Sequence, residues 1–136
     1  MDCPIVNHVH IRSLEPRQSA EWWKKTFGAQ EIGEFVASQP GMKTIRLALG
    51  GAARVYVSNQ PPGQSLPGGK AERRLGLEHF GLDVADLKKE LERLEKLGVK
   101  ITQPYTVIPD GMKLAYIEAP DGVLVELVEF GSSPVA

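Results

Sequence analysis

The chain has 136 residues, 42% of them hydrophobic and 24% charged, a composition that excludes a disordered protein and suits one domain or two small units sharing a core. Its net charge of −1 excludes a general nucleic-acid footprint, and its one dense basic cluster, Lys70-Ala71-Glu72-Arg73-Arg74, is short. The single cysteine, Cys3, cannot form an internal disulfide and fits a reducing cytosol, no apolar run approaches the ~20 residues of a membrane span, and the N-terminus lacks a signal-peptide pattern. The expectation is a cytoplasmic protein with neither a nucleic-acid nor a membrane partner.

The first predicted element is a strand over Ile5 to Ile11, in which Val9 and Ile11 alternate with His8, His10 and Arg12. A helix follows: Pro16 suits its first turn, Ala20, Trp23 and Phe27 fall at helical spacing, and Gly28 supplies the stop. Trp22 and Trp23 read as core and interface. Three strands are expected next, over Glu31 to Ala37, Lys43 to Leu49 and Arg54 to Ser58. Asn59 to Lys70 is dense in Pro and Gly and reads as a connector.

Beyond the connector the order recurs. Leu77 to Asp83 alternates as a strand, Leu87, Leu91 and Leu94 mark a helix ending at Leu97-Gly98, and strands are expected near Val99 to Val107, Lys113 to Glu118 and Val123 to Phe130. The outer face of this second helix, with Glu92 and Lys96, reads as solvated. An offset of 71 residues lays His79 on His8 and Gly122 on Gly51, whereas Gly98 and Gly28 fall at an offset of 70. A duplicated βαβββ unit follows, with module one over about 5–58, a linker over about 59–75 and module two over about 76–130, treated as one domain.

Alternation then sorts the side chains. If Val9, Ile11, Phe80 and Leu82 pack under the helices, His8, His10 and His79 face the other way. In the last strand Val125 and Leu127 suit the helix side, which turns Leu124, Glu126 and Val128 inward. Glu126 is thus an acid inside an apolar run, and a buried unpaired charge costs several kcal/mol. Two imidazoles and a carboxylate around a metal ion would compensate it, in the open pattern of catalytic rather than structural centres.

The segments Asn7-His8-Val9-His10-Ile11, Leu77-Glu78-His79-Phe80-Gly81-Leu82-Asp83-Val84 and Ala119-Pro120-Asp121-Gly122-Val123-Leu124-Val125-Glu126-Leu127-Val128-Glu129 resemble the vicinal oxygen chelate superfamily. That group includes glyoxalase I, methylmalonyl-CoA epimerase, extradiol dioxygenases, fosfomycin-resistance thiol transferases and bleomycin-binding proteins. The resemblance spans roughly Ile5 to Phe130. It implies an α+β fold of two βαβββ modules, a curled mixed sheet forming a cup with helices outside. It also implies one divalent metal per site (Fe, Zn, Ni, Co or Mn), held by His8, His79 and Glu126, a small-molecule substrate and a homodimer.

Glyoxalases and epimerases of this superfamily usually add a Glu or Gln from the last strand of the first module. Here a gap-free offset puts Val55 at that position, and one inserted residue puts Tyr56 there. A three-ligand centre also suits a 2-His-1-carboxylate Fe(II) dioxygenase or a thiol transferase, and a metal-free, drug-sequestering resistance protein is a further alternative. The leading expectation is a lyase or isomerase of glyoxalase/epimerase type, with the metal polarising a carbonyl or enolate oxygen and Glu126 or His10 moving a proton. Tyr56, Arg46, Tyr105 and Tyr116 are candidate pocket residues. Arg12 is, with Arg46, a candidate for holding an anionic group.

Overall fold

The structure is a computed structural model that describes residues 2–36 and 40–130, with side chains beyond the backbone at 35 and 36 left aside. The chain divides into two compact units, Met1–Pro67 and Gly68–Ala136, a boundary that falls inside the expected connector. Each unit is a βαβββ module. Module one contains β1 (Val9–Arg12), α1 (Pro16–Phe27), β2 (Gln30–Val36), β3 (Lys43–Leu49) and β4 (Ala53–Ser58). Module two contains β5 (Phe80–Asp83), α2 (Leu87–Lys96), β6 (Ile101–Val107), β7 (Lys113–Ala119) and β8 (Val123–Glu129), with a 3-10 turn over Pro120–Gly122. Their sheets run β1-β4-β3-β2 and β5-β8-β7-β6, with the first pair parallel and the others antiparallel.

The helices form where the sequence supplies both an apolar stripe and ends. α1 starts at Pro16 and stops at Gly28, whose left-handed backbone (φ 70°) lets its N–H donate to Lys24 O at 3.0 Å. α2 is capped by Asp86, whose Oδ1 accepts from Lys89 N at 3.1 Å, and by Glu129, whose Oε1 accepts from Leu87 N at 2.7 Å. Ala20 and Trp23 of α1 are fully buried and the helix packs on β3 and β4, where Leu47, Val55 and Val57 are buried. In module two Leu87, Leu91 and Leu94 pack toward β6, β7 and β8, over buried Ala115, Ile117, Val125 and Leu127. Trp23 is core, as its spacing suggests, and Trp22 is half-buried. Among the described residues the ion pairs of α2 join Arg93 to Glu90 and Lys89 to the capping Asp86, not Glu92 to Lys96.

Two differences from expectation matter for the site. β1 and β5 begin at Val9 and Phe80, later than Ile5 and Leu77, because each pairs only with the short β4 or β8 and residues before it have no partner strand. His8 and His79 therefore stand one residue ahead of their strands. The end of the expected strand at Ala37 lies outside the described residues.

The second difference is the repeat offset. It is 71 at β1 and β5 (Val9 against Phe80) but 70 in the later strands, where Val55 pairs with Val9 and Val125 with Phe80. Gly98 still matches Gly28 at an offset of 70, so the single missing residue lies in the helical segment of module two. At an offset of 70, Gly51 falls opposite Asp121, not Gly122, and Tyr56, not Val55, is the counterpart of Glu126.

Candidate metal and substrate site

The register arranges the open face of each sheet in rows. In module one His10, Tyr56, Arg46 and Gly33 stand side by side across the four strands. In module two the same row reads Gly81, Glu126, Tyr116 and Gln103. Each preceding histidine, His8 or His79, leans toward the second member of its row, with different results.

In module two His79 Nε2 lies 2.9 Å from Glu126 Oε2, with side chains 24% and 15% exposed. The other nitrogen, Nδ1, donates to Glu78 Oε1 at 3.0 Å. A neutral imidazole carries one N–H, yet two carboxylates face its two nitrogens. With Nδ1–H given to Glu78, the gap between Nε2 and Glu126 calls for a positive species, a proton or a metal ion. Val125 and Leu127 flank Glu126 on the buried side of the strand, so the carboxylate stays on the open face. These two donors fit a divalent metal: an oxygen ligand on β8 and a nitrogen ligand directly before β5, with the ring oriented from behind by a carboxylate.

In module one the row holds a phenol in place of the acid. The His8 ring stacks on Tyr56 with centroids 4.2 Å apart and planes within 14°. His8 Nδ1 donates to Asn7 Oδ1 at 2.9 Å, the same use of the preceding residue that His79 makes of Glu78. In both histidines Nδ1 is taken by the preceding residue, which leaves Nε2 to face Glu126 in the case of His79. Among the described residues no three His, Cys, Asp or Glu side chains gather into a metal-binding cluster.

His10 sits beside this pair. Its Nε2 is 2.7 Å from Ser58 Oγ, which is 2.7 Å from Thr44 Oγ1, a chain that runs into buried sheet. Burial, then the Arg12 guanidinium, then His8 push the His10 pKa below its ordinary value. Arg12 itself donates to Asn59 O at 2.8 Å. Arg46 crosses Gly33: a β-carbon there would lie 2.6 Å from Nη2, so only glycine lets the guanidinium lie against the strand. Tyr116 touches the edge of the His79 ring, with centroids 5.1 Å apart. Its pKa is raised by burial and by the nearby Glu126 and Glu78 carboxylates. Tyr105 lies under the Lys88 ammonium of α2, 5.0 Å from the ring centroid.

The sequence did not single out Asn7, Glu78, Ser58, Thr44 or Gln103. Glu78 and Asn7 share one signal, an oxygen-bearing side chain directly before each repeated histidine. Ser58 and Thr44 share another, small hydroxyls two residues along the strand from Tyr56 and Arg46.

Residues 5–127 match the family pattern of the Glyoxalase/Bleomycin resistance protein/Dioxygenase superfamily. The chain belongs to that superfamily. Among solved structures it is similar to the glyoxalase family protein from Bacillus cereus, at 17% identity and a TM-score of 0.78, over 95% of each chain. It is similar also to the glyoxalase family protein from Enterococcus faecalis, at 21% identity and a TM-score of 0.74, over 92% of this chain and 97% of that one. The fosfomycin resistance protein FosX from Mesorhizobium loti aligns at 18% identity and a TM-score of 0.65, over 93% and 91%. A search of curated proteins found no match. At these identities the structural likenesses speak for the fold, which agrees with the two βαβββ modules expected from the repeat. Among the described residues no helix is long and apolar enough to cross a membrane.

Proposed function

We propose that this protein is a divalent-metal enzyme of glyoxalase/epimerase type acting on a small oxygenated substrate. His79, Glu126 and His8 are its ligands, with His8 contributed by module one of the same chain or of a second copy. The observation that carries this reading is the His79 ring held between Glu78 and Glu126 at 3.0 and 2.9 Å, one hydrogen short of satisfying both. A divalent ion at Nε2 removes that conflict and, when bound, supplies Lewis-acid polarisation of a substrate oxygen.

The chain's own residues supply the rest. Glu78 and Asn7 fix the two imidazoles in the tautomer that leaves Nε2 free. His10 Nε2 shares a hydrogen with Ser58 Oγ, which in turn meets Thr44 Oγ1; in the tautomer with that hydrogen on Nε2, the Nδ1 lone pair of His10 takes a proton from carbon beside a substrate carbonyl. Tyr56 occupies the place where a fourth ligand would stand, so the proposed centre is a three-ligand one.

That same ligand count supports a second reading, an Fe(II)-dependent dioxygenase. A panel of small α-hydroxycarbonyl compounds in deuterated buffer separates the two. Metal-dependent exchange of deuterium next to the carbonyl, lost in His10→Ala while metal binding remains, supports the leading reading. Oxygen uptake with iron and no exchange selects the dioxygenase, and ligand binding with neither reaction selects a metal-independent binding protein.

A further inference from the structure

Module two carries a cleft of about 180 Å3 beside the His79–Glu126 pair. Tyr116, Leu124 and Gln103 of the sheet line it together with Glu78, and the segment bearing Glu72 and Arg73 adds to the lining. That segment is tied to the module. Gly69 crosses directly over the Asp121–Gly122 turn, where a β-carbon on Gly69 would lie 2.5 Å from Asp121 O. Glu72 N donates to Lys70 O at 2.9 Å, and the Arg74 guanidinium also reaches Lys70 O. The two glycines therefore seat the segment that lends Arg73 to the cleft lining.

The polar groups that meet there are not satisfied by one another. Among the described residues Arg73 makes no hydrogen bond or ion pair, and neither does the Tyr116 hydroxyl. The Gln103 amide makes one long contact, 3.5 Å to Thr106 Oγ1. Glu78 is already committed to His79. A planar guanidinium without a carboxylate, a phenol and an amide around one cleft match a ligand with an oxyanion at one end and hydroxyl or carbonyl oxygens at the other. The volume is below the ~300 Å3 of a drug-sized pocket, so the portion of a ligand it seats is small.

We propose that this cleft is the substrate subsite of module two and takes a small α-oxygenated carboxylate, its carboxylate on Arg73 and its α-oxygen directed at Tyr116 and the metal-ligand pair. The inference deepens the metal-enzyme reading by naming a substrate class, and it is tested separately from it. Lactate and its neutral analogue propane-1,2-diol are titrated by ligand-observed NMR into the full chain, both metal-loaded and metal-free. Lactate is expected to bind at least about tenfold tighter than the diol, and R73Q to weaken lactate about tenfold with little effect on the diol. E72Q, which removes a like charge from the same segment, is expected to tighten lactate severalfold. Both positions are exposed, so both variants keep the wild-type melting temperature.

Equal affinity for acid and diol in the wild-type chain, or an R73Q chain that binds lactate within twofold of wild type, overturns the proposal. If the protein takes up no metal, the enzyme reading fails, while the metal-free titration still decides the cleft.

Discussion

Removing the Glu78 carboxylate is expected to weaken metal binding more than any other change behind the ligands. Its Oε1 accepts from His79 Nδ1 at 3.0 Å, with side chains 32% and 24% exposed. A carboxylate there stands about 6–7 Å from an ion held at Nε2. One negative charge against two positive ones at that distance, with an effective dielectric of about 40, is worth about 2.5 kcal/mol. Each 1.4 kcal/mol is about tenfold, so Glu78→Ala is expected to raise the Kd for Zn²⁺ or Co²⁺ by about 10–100-fold, the range typical of lost outer partners. Glu78→Gln keeps an acceptor for Nδ1–H and loses the charge, so it falls between. Asn7→Ala removes a neutral acceptor at 2.9 Å from His8, and its loss stays under about tenfold. Competition against a chromophoric chelator measures all three. A Glu78→Ala protein that is folded and binds metal within twofold of wild type refutes the reasoning.

Tyr56→Glu places a second carboxylate at the register counterpart of Glu126, and it is expected to tighten metal binding at least about tenfold in the same assay. Unchanged affinity would show that the Tyr56 position does not face the centre. Trp23→Ala empties the fully buried centre of module one and is expected to cost about 3–5 kcal/mol in urea unfolding. Glu129 supplies a pH signature. Its hydrogen bond to Lys113, then that from Leu87 N, hold its folded pKa below the ordinary carboxylate value. The stabilisation is therefore fully present above the unfolded pKa and fades as pH falls through the folded one. Glu129→Gln is expected to lower the melting temperature at pH 7, with the gap to wild type closing below about pH 4. A gap that persists unchanged at acid pH would place the effect elsewhere.

Much of this was legible in the sequence because strands alternate and the unit repeats. The inward turn of Glu126 follows from the buried Val125 and Leu127 on either side, and its meeting with His79 follows from the parallel pairing of β5 with β8. The choice between Val55 and Tyr56 was not legible. It turns on one residue dropped inside the second helical segment, where spacing leaves the length free and only the strand register fixes it. The acceptors behind the histidines were equally hidden, because a side-chain torsion at Asn7 or Glu78 decides whether the oxygen swings back to Nδ1. Arg73 reads as part of a polar connector until Gly69 and Gly122 bring two backbones together and fold the connector onto the sheet. Tyr105 lies where the pairing of β6 with β7 shifts between Gln103 and Thr106, so alternation alone does not fix its face, and its ring meets Lys88 of α2.

The metal content of the full chain, purified without added metal and then titrated, tests the central claim most directly. Elemental analysis is expected to find one divalent ion per centre, retained after desalting, with His79→Ala and Glu126→Ala each reducing it to background. A wild-type protein that carries no divalent metal and binds none on titration with Fe²⁺, Zn²⁺, Ni²⁺, Co²⁺ or Mn²⁺ contradicts the account.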